Sequence, residues 1–437
     1  MSGSLTQLAS VGLQQSTTQS HDYLPWKCSI VRPAPFAMEP KELVPNGTQD
    51  WGKTITFSVH YSADLLCKTY LVIDVLGLPD PANAKWQDGS GANGLEQVED
   101  IGHAAIESLE MSIGSVAHLS CPGEWLHVKE TMQKPYSLRS KEFCGRTSDG
   151  GGIQTALQEL PKAPQRMYIE LPVWFQEYCN AVPLVALHLS DIKFKIKLRK
   201  KVELFRYVNA SAANNTLTTG AVDDILKVDN IKMIAEYVFL TDQHRRIFAS
   251  TDHFYLVEQI QEAHASMTTG VTSFSHKMDF NHMVKEIIWF GRKQNFTDSD
   301  AYVAGNNAGY LQYFNFSGDE DGTTMGTAPG DLFKTAQITI NSNERVMAMD
   351  PKYYRLVHPY NVNHTNIFKE FVYCYSFALE AERQNPTGTI NCSRIENLTL
   401  NLAFSSNLTT HYDLFCFAVS YNVVSIRSGT GSLLYSS

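Results

Sequence analysis

Alternation of apolar and polar side chains is the dominant pattern in this chain. In the stretch 398–404 the apolar residues are Leu398, Leu400, Leu402 and Phe404. A period of two places those four side chains on one face of a β-strand. Burying them contributes roughly 6–12 kcal/mol, an upper value against a fully extended chain. Such a strand is stable only when a second sheet covers its apolar face, so the pattern predicts a layered β-structure.

Strand-like segments of this kind fall into two blocks. The first block comprises 54–61, 69–78, 166–175 and 182–199, and the second comprises 231–240, 253–260, 273–280, 284–290, 336–341, 371–379, 394–404 and 413–426. In the second block, 371–404 is predicted to form two long strands around a turn at 386–388. Helical spacing is rare: 123–133 is a short helix candidate, and 106–119 fits either a strand or a helix. Two blocks of short strands predict two β-sandwiches in tandem.

The segment 208–228 is small, polar and without periodicity, which is typical of a linker. It divides the chain into a first sandwich at 25–207 and a second at 229–437. Residues 1–24 are polar and lack the basic and continuous apolar regions of a secretory signal. We expect them to form an N-terminal arm that is disordered or ordered by a partner.

Length, composition and charge fit a globular protein of two domains. At 437 residues the chain exceeds what one hydrophobic core accommodates, and 43% apolar with 19% charged residues is a globular composition. The net charge of −9 argues against a general nucleic-acid-binding protein, which needs a positive surface to displace counterions. No apolar run approaches the roughly 20 residues of a membrane-spanning helix.

The eight cysteines are widely spaced and include no CxxC pair, which argues against zinc and redox motifs. Most lie in apolar, strand-like runs, where a free thiol behaves as a small buried hydrophobic group. We therefore expect reduced, structural cysteines and folding in the cytoplasm.

No sequence motif predicts catalysis, a cofactor or a metal site. Residues 89–94 match G-x-G-x-x-G, but a polar, proline-containing run precedes them instead of the strand that a dinucleotide site requires. The acidic residues 319–321 lack the alternating spacing of calcium-binding loops and are interpreted as an exposed loop tip. The histidines form no HExxH, and no serine or cysteine lies in a nucleophile-elbow context. We assign no catalytic, cofactor-binding or metal-binding residue.

A basic row is predicted on the strand at 193–200. The basic side chains, Lys193, Lys195, Lys197 and Arg199, alternate with apolar ones. One interpretation is contact with an acidic partner or with lipid phosphates. The other, which we favour, is a solvated strand face whose lysines discourage edge-to-edge aggregation.

Several Asn-x-Ser/Thr sequons lie in predicted loops, where a glycan is tolerated. The candidate glycosylation sites are Asn209, Asn214, Asn295, Asn315 and Asn363. Asn391 and Asn397 match the sequon beside or within predicted strands and are weaker candidates. Because we see no secretory signal, we expect most matches to reflect asparagine-rich loops and only a minority to carry glycans.

A set of short motifs spread over residues 25–437 is specific in combination. A P-x-G-x-x-N-x-S-R pattern is matched by Pro386, Gly388, Asn391, Ser393 and Arg394. Further matching segments are 171–175 with 182–187, 236–246, 256–259, 284–286, 375–379, 421–429 and, near the front, Lys27, Arg32 and 36–39. Together these segments resemble the major capsid proteins of large eukaryotic DNA viruses, the phycodnavirus and iridovirus group. The chain departs from the pattern of that family at Pro25 before Trp26, where the family usually has an aromatic pair, and at 180–182, where it usually has Gly-Leu-Ala.

The resemblance implies an all-β double jelly roll, two eight-stranded sandwiches side by side with short helices in the loops. Three copies would form a pseudo-hexagonal capsomer that tiles an icosahedral shell around an internal membrane. The implied partners are further copies of the chain, neighbouring capsomers, and minor capsid proteins or the membrane at the inward-facing N-terminal arm. Direct contact with nucleic acid is not implied. The implied location is the virion capsid, made and assembled in the host cytoplasm.

Two other functions share part of this pattern. A glycan-binding tandem sandwich, such as a virion attachment or minor capsid protein, would use loop aromatics in 293–330 to stack on sugars. Those aromatics are Phe296, Tyr302, Tyr310, Tyr313 and Phe314, and packing within a trimer explains them equally well. An enzyme on a cupin-type jelly roll would need a cluster of histidines and carboxylates around a metal, and the sequence shows none.

Overall fold

The computed structural model describes residues 34–59, 61–75, 94–98, 100–133, 158–159, 165–208, 228–294, 313–318, 330–362, 371–383 and 385–435, together with Thr6. The predicted N-terminal arm at 1–24 apart from Thr6, most of the linker at 208–228 and the acidic residues 319–321 lie outside the described residues. The chain from Ala37 to Ser437 forms one structural unit, and the features below belong to it.

Eight strands make up the first half of the fold. They are β1 (Phe36–Leu43), β2 (Thr54–Ser58), β3 (Leu65–Val75), β4 (Ile106–Ile113), β5 (Val116–Pro122), β6 (Gln165–Glu170), β7 (Ile192–Leu198) and β8 (Val228–Leu240). One sheet has the order β1-β8-β3-β6 and the other has the order β2-β7-β4-β5. Side chains from both sheets, such as Phe57, Leu71 and Phe194, are buried in a common core.

Eight more strands make up the second half. They are β9 (His253–Met267), β10 (Ser273–Lys277), β11 (Met283–Lys293), β12 (Thr335–Ile340), β13 (Asn343–Met349), β14 (Tyr373–Ser376), β15 (Leu398–Ala403) and β16 (Tyr412–Arg427). One sheet has the order β9-β16-β11-β14 and the other has the order β10-β15-β12-β13.

The two halves are wound in the same way. In each, the first strand pairs with the eighth and the third with the sixth, while in the other sheet the second pairs with the seventh and the fourth with the fifth. Eight antiparallel strands in two sheets of this order form a jelly roll. The predicted all-β fold of two eight-stranded sandwiches is confirmed, and the chain is a double jelly roll.

Shorter elements connect and extend the sheets. The α-helices are α1 (Ile101–Ala104), α2 (Gly123–Gln133), α3 (Lys201–Leu204), α4 (Asp242–Ser250) and α5 (His358–Asn361). The 3-10 turns are Trp174–Gln176, Tyr178–Asn180, Leu184–Ala186 and Cys392–Arg394, with a π-helical turn at Tyr353–Val357. Short strands are Gly94–Gln97, Gln158–Glu159, Phe205–Val208, Val182–Pro183, Ile390–Asn391 and Thr430–Leu433. No helix among the described residues is long and apolar enough to cross a membrane.

The stretch 371–404 is not the hairpin that its pattern predicted. β14 pairs with β11 in one sheet of the second jelly roll, whereas β15 pairs with β10 and β12 in the other. The alternation itself was read correctly, because Leu398, Leu400 and Leu402 are all buried. Alternation determines which face of a strand is apolar, but it carries no information about which strand lies beside it.

β8 belongs to the first jelly roll, although its pattern was assigned to the second sandwich from residue 229. It pairs antiparallel with β3 over nearly its whole length. The strands of the second jelly roll begin with β9, after α4. The boundary between the two jelly rolls therefore falls after β8 in the sequence, because β8 is the strand that closes the first sandwich.

β7 confirms the predicted alternation and corrects its interpretation. Its apolar side chains are buried and its lysines are exposed, but β2 and β4 flank it on both sides. The lysines therefore do not protect a sheet edge. On the solvated face, Lys195 Nζ lies 3.4 Å from Glu110 Oε2 and Lys197 Nζ lies 2.5 Å from Glu107 Oε1.

Most described cysteines are buried thiols. Cys67, Cys121, Cys374, Cys392 and Cys416 are buried without a disulfide. Burial raises the pKa of Cys67 to about 11 and that of Cys121 to about 12, so both thiols are protonated at neutral pH. These side chains contribute packing, as their sequence context predicted.

Candidate functional site at the junction of the two jelly rolls

Helix α2 is one of the elements of the first jelly roll that contact the second. It begins at Gly123, where a Cβ atom would lie 2.0 Å from the Ile106 carbonyl oxygen and 2.8 Å from that of His103. Only glycine allows the chain to pass so close to that backbone. The next residues of the helix, Glu124, Trp125 and Leu126, are all buried, so α2 enters the interior of the protein directly from β5.

Glu124 lies between two largely buried arginines from different jelly rolls. Its Oε1 atom is 2.7 Å from Arg199 Nη2, just after β7, and 3.0 Å from Arg292 Nη1 on β11. The three side chains are 7%, 12% and 9% exposed. Since β11 belongs to the second jelly roll, this junction cluster of Glu124, Arg199 and Arg292 joins the two halves through charge as well as packing.

Tyr313 covers the junction cluster from the second half of the chain. Its ring centroid lies 4.5 Å from the Arg199 guanidinium and 5.6 Å from that of Arg292, a cation–π arrangement. Burial raises the pKa of Glu124, but the charges of Arg199 and Arg292 outweigh it and hold that pKa below its ordinary value. The cluster thus keeps a buried carboxylate ionised.

Aromatic packing continues the junction along α2. The Trp125 ring lies 5.3 Å from Phe417 on β16, and the His127 ring stacks on Phe314 at 4.0 Å. Tyr313 and Phe314, which were considered as sugar-stacking residues, are buried in the junction. Phe296, Tyr302 and Tyr310 lie outside the described residues.

A second contact between the halves lies at the turn after β16. Gly429 has φ +82°, and a Cβ atom there would lie 2.5 Å from the His188 ring of the first half. Its carbonyl oxygen accepts a hydrogen bond of 2.9 Å from the Leu189 amide. A Cβ atom at Gly431 would lie 2.7 Å from Ile113 Cγ2. Two glycines therefore let the C-terminal turn lie directly against the first jelly roll.

Helix α4 connects the two jelly rolls and is held to the first. Arg245 Nε donates a hydrogen bond of 2.6 Å to Asp64 Oδ1, and the Leu240 amide donates one of 2.7 Å to Asp64 Oδ2. From the second half, the Tyr255 hydroxyl donates a hydrogen bond of 2.9 Å to the Ala181 carbonyl. The connection is thus tied to the first jelly roll on both sides of α4.

A buried group of histidines and a carboxylate lies beside the junction cluster. Asp100 Oδ2 is 3.0 Å from His103 Nδ1 and also hydrogen-bonds to His127 Nδ1. His103 Nε2 lies 3.3 Å from Glu130 Oε2. No sequence motif indicates such a group, since Asp100 and His103 precede β4 and His127 follows β5.

A cavity of about 420 Å³ opens next to this group. It is lined by both halves, with His103, Glu130 and Tyr168 from the first and Phe254 and Leu256 from the second. The cavity therefore runs along the junction and reaches His103 from outside.

The predicted glycosylation sites are only partly described. Asn209, Asn214, Asn295 and Asn363 lie outside the described residues. Asn315 is 6% exposed, and its Oδ1 accepts hydrogen bonds of 3.1 Å from the Ser317 amide and 2.6 Å from the Ser317 hydroxyl. A glycan on Asn315 would need that side chain to leave this turn.

Sequence reasoning missed the junction, although one signal was present. Arg199 follows the alternation of the exposed lysines on β7, yet it lies just beyond the end of the strand and its side chain is only 12% exposed. Glu124 is the informative residue: a carboxylate among Trp125, Leu126 and Val128 needs a cationic partner. The sequence does not reveal that the partner is Arg292, which lies 168 positions away.

Comparison with known proteins agrees with this architecture. The family described as "Major capsid protein N-terminus" matches residues 25–241, and that described as "Large eukaryotic DNA virus major capsid protein" matches residues 244–432. The chain is 28% identical to the major capsid protein of Pyramimonas orientalis virus and 24% identical to that of Paramecium bursaria Chlorella virus 1, each over all of both chains.

Solved structures share the fold at low sequence identity. The chain resembles PBCV-1 VP54 with a TM-score of 0.73 and 22% identity, over 94% of this chain and 100% of that one. It resembles the Faustovirus major capsid protein with a TM-score of 0.73 and 12% identity, over 95% of this chain and 94% of that one. These matches show that the chain has the double jelly-roll fold of those two proteins. The chain belongs to the family of major capsid proteins of large eukaryotic DNA viruses.

Proposed function

We propose that this chain is the subunit of an icosahedral virion shell and that three copies form a capsomer with a pseudo-hexagonal outline. The observation that carries the proposal is the repeated winding: each chain supplies two jelly rolls of the same strand order. Three chains then supply six sandwiches around a threefold axis. Because six similar sandwiches give the trimer a nearly sixfold outline, it can tile a surface in which most capsomers have six neighbours.

A capsomer of this kind requires the two jelly rolls to keep a fixed relation. The buried ion pairs of the junction cluster and the close approach at Gly429 support that requirement, because both would be lost if the halves moved apart. Rigid units assemble with a smaller loss of conformational freedom than hinged ones.

The proposed partners follow from the same role. They are two further copies of the chain, the neighbouring capsomers, and minor capsid proteins or the internal membrane at the N-terminal arm, residues 1–24. The net charge of −9 favours a shell that makes no direct contact with nucleic acid. We place synthesis and assembly in the host cytoplasm and the finished protein in the virion capsid.

Native mass spectrometry and negative-stain electron microscopy of the purified full chain test the proposal. We expect a trimer at micromolar concentration and particles with a hexagonal outline. Monomers alone under these conditions would contradict the capsomer. A chain that starts at residue 25 is the control for the arm: it is expected to form the same trimer and to lose binding to vesicles or minor capsid proteins.

A further inference from the structure

Asp100, His103 and His127 bring three metal-ligand atoms together in the interior. The two Nδ1 atoms and a carboxylate oxygen all lie within 4.8 Å of one another, and the three residues are buried. Asp100 comes just before α1, His103 lies on α1 and His127 lies on α2. This His–Asp cluster therefore joins two helices at the point where α2 meets the second jelly roll.

The hydrogen bonds within the cluster involve only one of the two carboxylate oxygens of Asp100. Asp100 Oδ2 is satisfied by the two imidazoles, but no hydrogen-bond partner lies on Asp100 Oδ1 among the described residues. The residue is 1% exposed, so this oxygen is buried. Buried carboxylate oxygens normally have a partner, and a cation is one kind of partner that this oxygen could have.

The imidazoles are oriented as metal ligands usually are. His103 Nε2 faces Glu130 Oε2 at 3.3 Å, so the ring nitrogen that points away from the cluster is held by a carboxylate. This carboxylate–histidine pairing fixes the tautomer and ring direction of metal-binding histidines. The His127 ring is held by stacking on Phe314 at 4.0 Å, with 8° between the ring planes.

The adjoining cavity provides a route for a cation. Its lining includes five glutamates against two basic residues, Lys129 and Arg383. The glutamates are Glu130, Glu170, Glu177, Glu258 and Glu382. A cleft lined with negative charge concentrates cations, and Glu130 places that charge directly beside His103.

We propose that Asp100, His103 and His127 form a binding site for one divalent transition-metal ion per chain. Two imidazole nitrogens and one carboxylate oxygen are the donor set of zinc sites with three protein ligands and one open position. Glu130 is a positioning residue that acts through His103. The bound ion would stabilise the packing of α1 against α2 and thereby the junction of the two jelly rolls.

Metal titration of the full-length protein, first treated with a chelator and then dialysed, tests the site. We expect one Zn²⁺ per chain by calorimetry, a rise in Tm on adding Zn²⁺, and visible absorption bands when Co²⁺ is used instead. Asp100→Asn removes the anionic ligand at constant size and is expected to abolish the Co²⁺ bands. Glu130→Gln leaves the ligands in place and is expected to weaken binding by about 10–100-fold.

His118→Gln is the matched control, because His118 is a buried histidine outside the cluster, with Nδ1 2.8 Å from the Val116 carbonyl oxygen. It is expected to bind Zn²⁺ like the unsubstituted chain. Circular dichroism and the trimer mass show whether each variant is folded. Absence of saturable binding at one ion per chain, or unchanged affinity in folded Glu130→Gln, would overturn the proposal, as would equal losses in His118→Gln and Glu130→Gln.

Discussion

Two buried ion clusters in this chain use similar chemistry in different places. In the junction cluster, Glu124 is shared by Arg199 and Arg292, which belong to different jelly rolls. In the second jelly roll, Asp331 accepts hydrogen bonds of 3.1 and 3.2 Å from Arg355 and one of 2.9 Å from the Tyr373 hydroxyl. The Asp331 cluster joins segments of one sandwich, so only the junction cluster makes the stability of one half depend on the other.

The two clusters also differ in how many cations depend on one carboxylate. Glu124 pairs with two arginines, whereas Asp331 pairs with one and has a neutral tyrosine as its other partner. Removing one member of a buried ion pair leaves an uncompensated charge, which is far more costly than the pair is stabilising. The comparison therefore predicts a larger and more widely distributed effect at Glu124.

The largest effect is expected for Glu124→Gln. This substitution keeps the size of the side chain but removes the carboxylate that both Arg199 and Arg292 contact, and we expect the free energy of unfolding to fall by about 3–5 kcal/mol. Urea denaturation measures the loss, and hydrogen exchange should show faster opening in both jelly rolls. Glu110→Gln, at an exposed pair with Lys195, is the matched control and is expected to change stability by less than about 1 kcal/mol. Equal effects in the two variants would contradict a role for the junction charge.

A smaller effect is expected for Asp331→Asn. One arginine instead of two loses its ion pair with the substituted residue, and the amide oxygen of the new side chain still accepts a hydrogen bond from the Tyr373 hydroxyl, so we expect a loss of about 2–3 kcal/mol. Hydrogen exchange should increase around β12 and β14 and leave β3 and β8 unchanged. Faster exchange across the first jelly roll would show that the Asp331 cluster also stabilises that half, which would contradict the comparison.

Gly429→Ala tests the second contact of the junction. The residue has φ +82° and the His188 ring would lie 2.5 Å from its new Cβ atom, so both backbone strain and a clash are introduced. We expect a loss of about 1–2 kcal/mol by thermal or chemical denaturation. Gly270→Ala is the matched control, because Gly270 has φ +85° with no atom within 4 Å of the Cβ position. A loss no greater than that of the control would mean that the close approach to His188 contributes nothing.

Acid titration distinguishes the contribution of Glu124 to stability from the contributions of the other carboxylates. The pKa of Glu124 is held below its ordinary value in the folded protein, so its contribution to stability is present above the unfolded-state pKa and is lost as pH falls through the lower folded value. We expect stability to decrease on acidification below about pH 4.3, where an ordinary glutamate takes up a proton. Glu124→Gln should have a shallower dependence over this range. Parallel curves for the two proteins would contradict the assignment.

The smallest effect is expected on the exposed face of β7. Lys195→Gln removes one surface ion pair with Glu110, in which both side chains are well exposed. Such pairs contribute little because water and salt screen them, so we expect a change of less than about 0.5 kcal/mol in the free energy of unfolding. A larger loss in the isolated protein would show that the row of lysines has a structural role that its solvent exposure does not indicate.

Much of the fold was predictable from local pattern, and the junction was not. The alternation at β7 and β15, the helix at 123–133 and the double jelly roll were all correct, because side-chain period and short motifs are local properties. Strand partnership failed at 371–404 and at β8, because pairing depends on contacts far apart in the sequence. The His–Asp cluster was not predicted because it also depends on residues far apart in the sequence. Asp100 and His127 are 27 positions apart, and the strands between them bring them together.

The winding of each jelly roll has a consequence for how the chain folds as it is synthesised. β1 pairs with β8 and β9 pairs with β16, so neither sandwich can close before its last strand has left the ribosome. The first jelly roll becomes complete once Leu240 has emerged, when Arg292 has not yet been made. Glu124 then has Arg199 as its only partner from the junction cluster, and the docking of the second half supplies the other. The first jelly roll therefore closes before the second half docks against it, and the junction is the last part of the monomer to form.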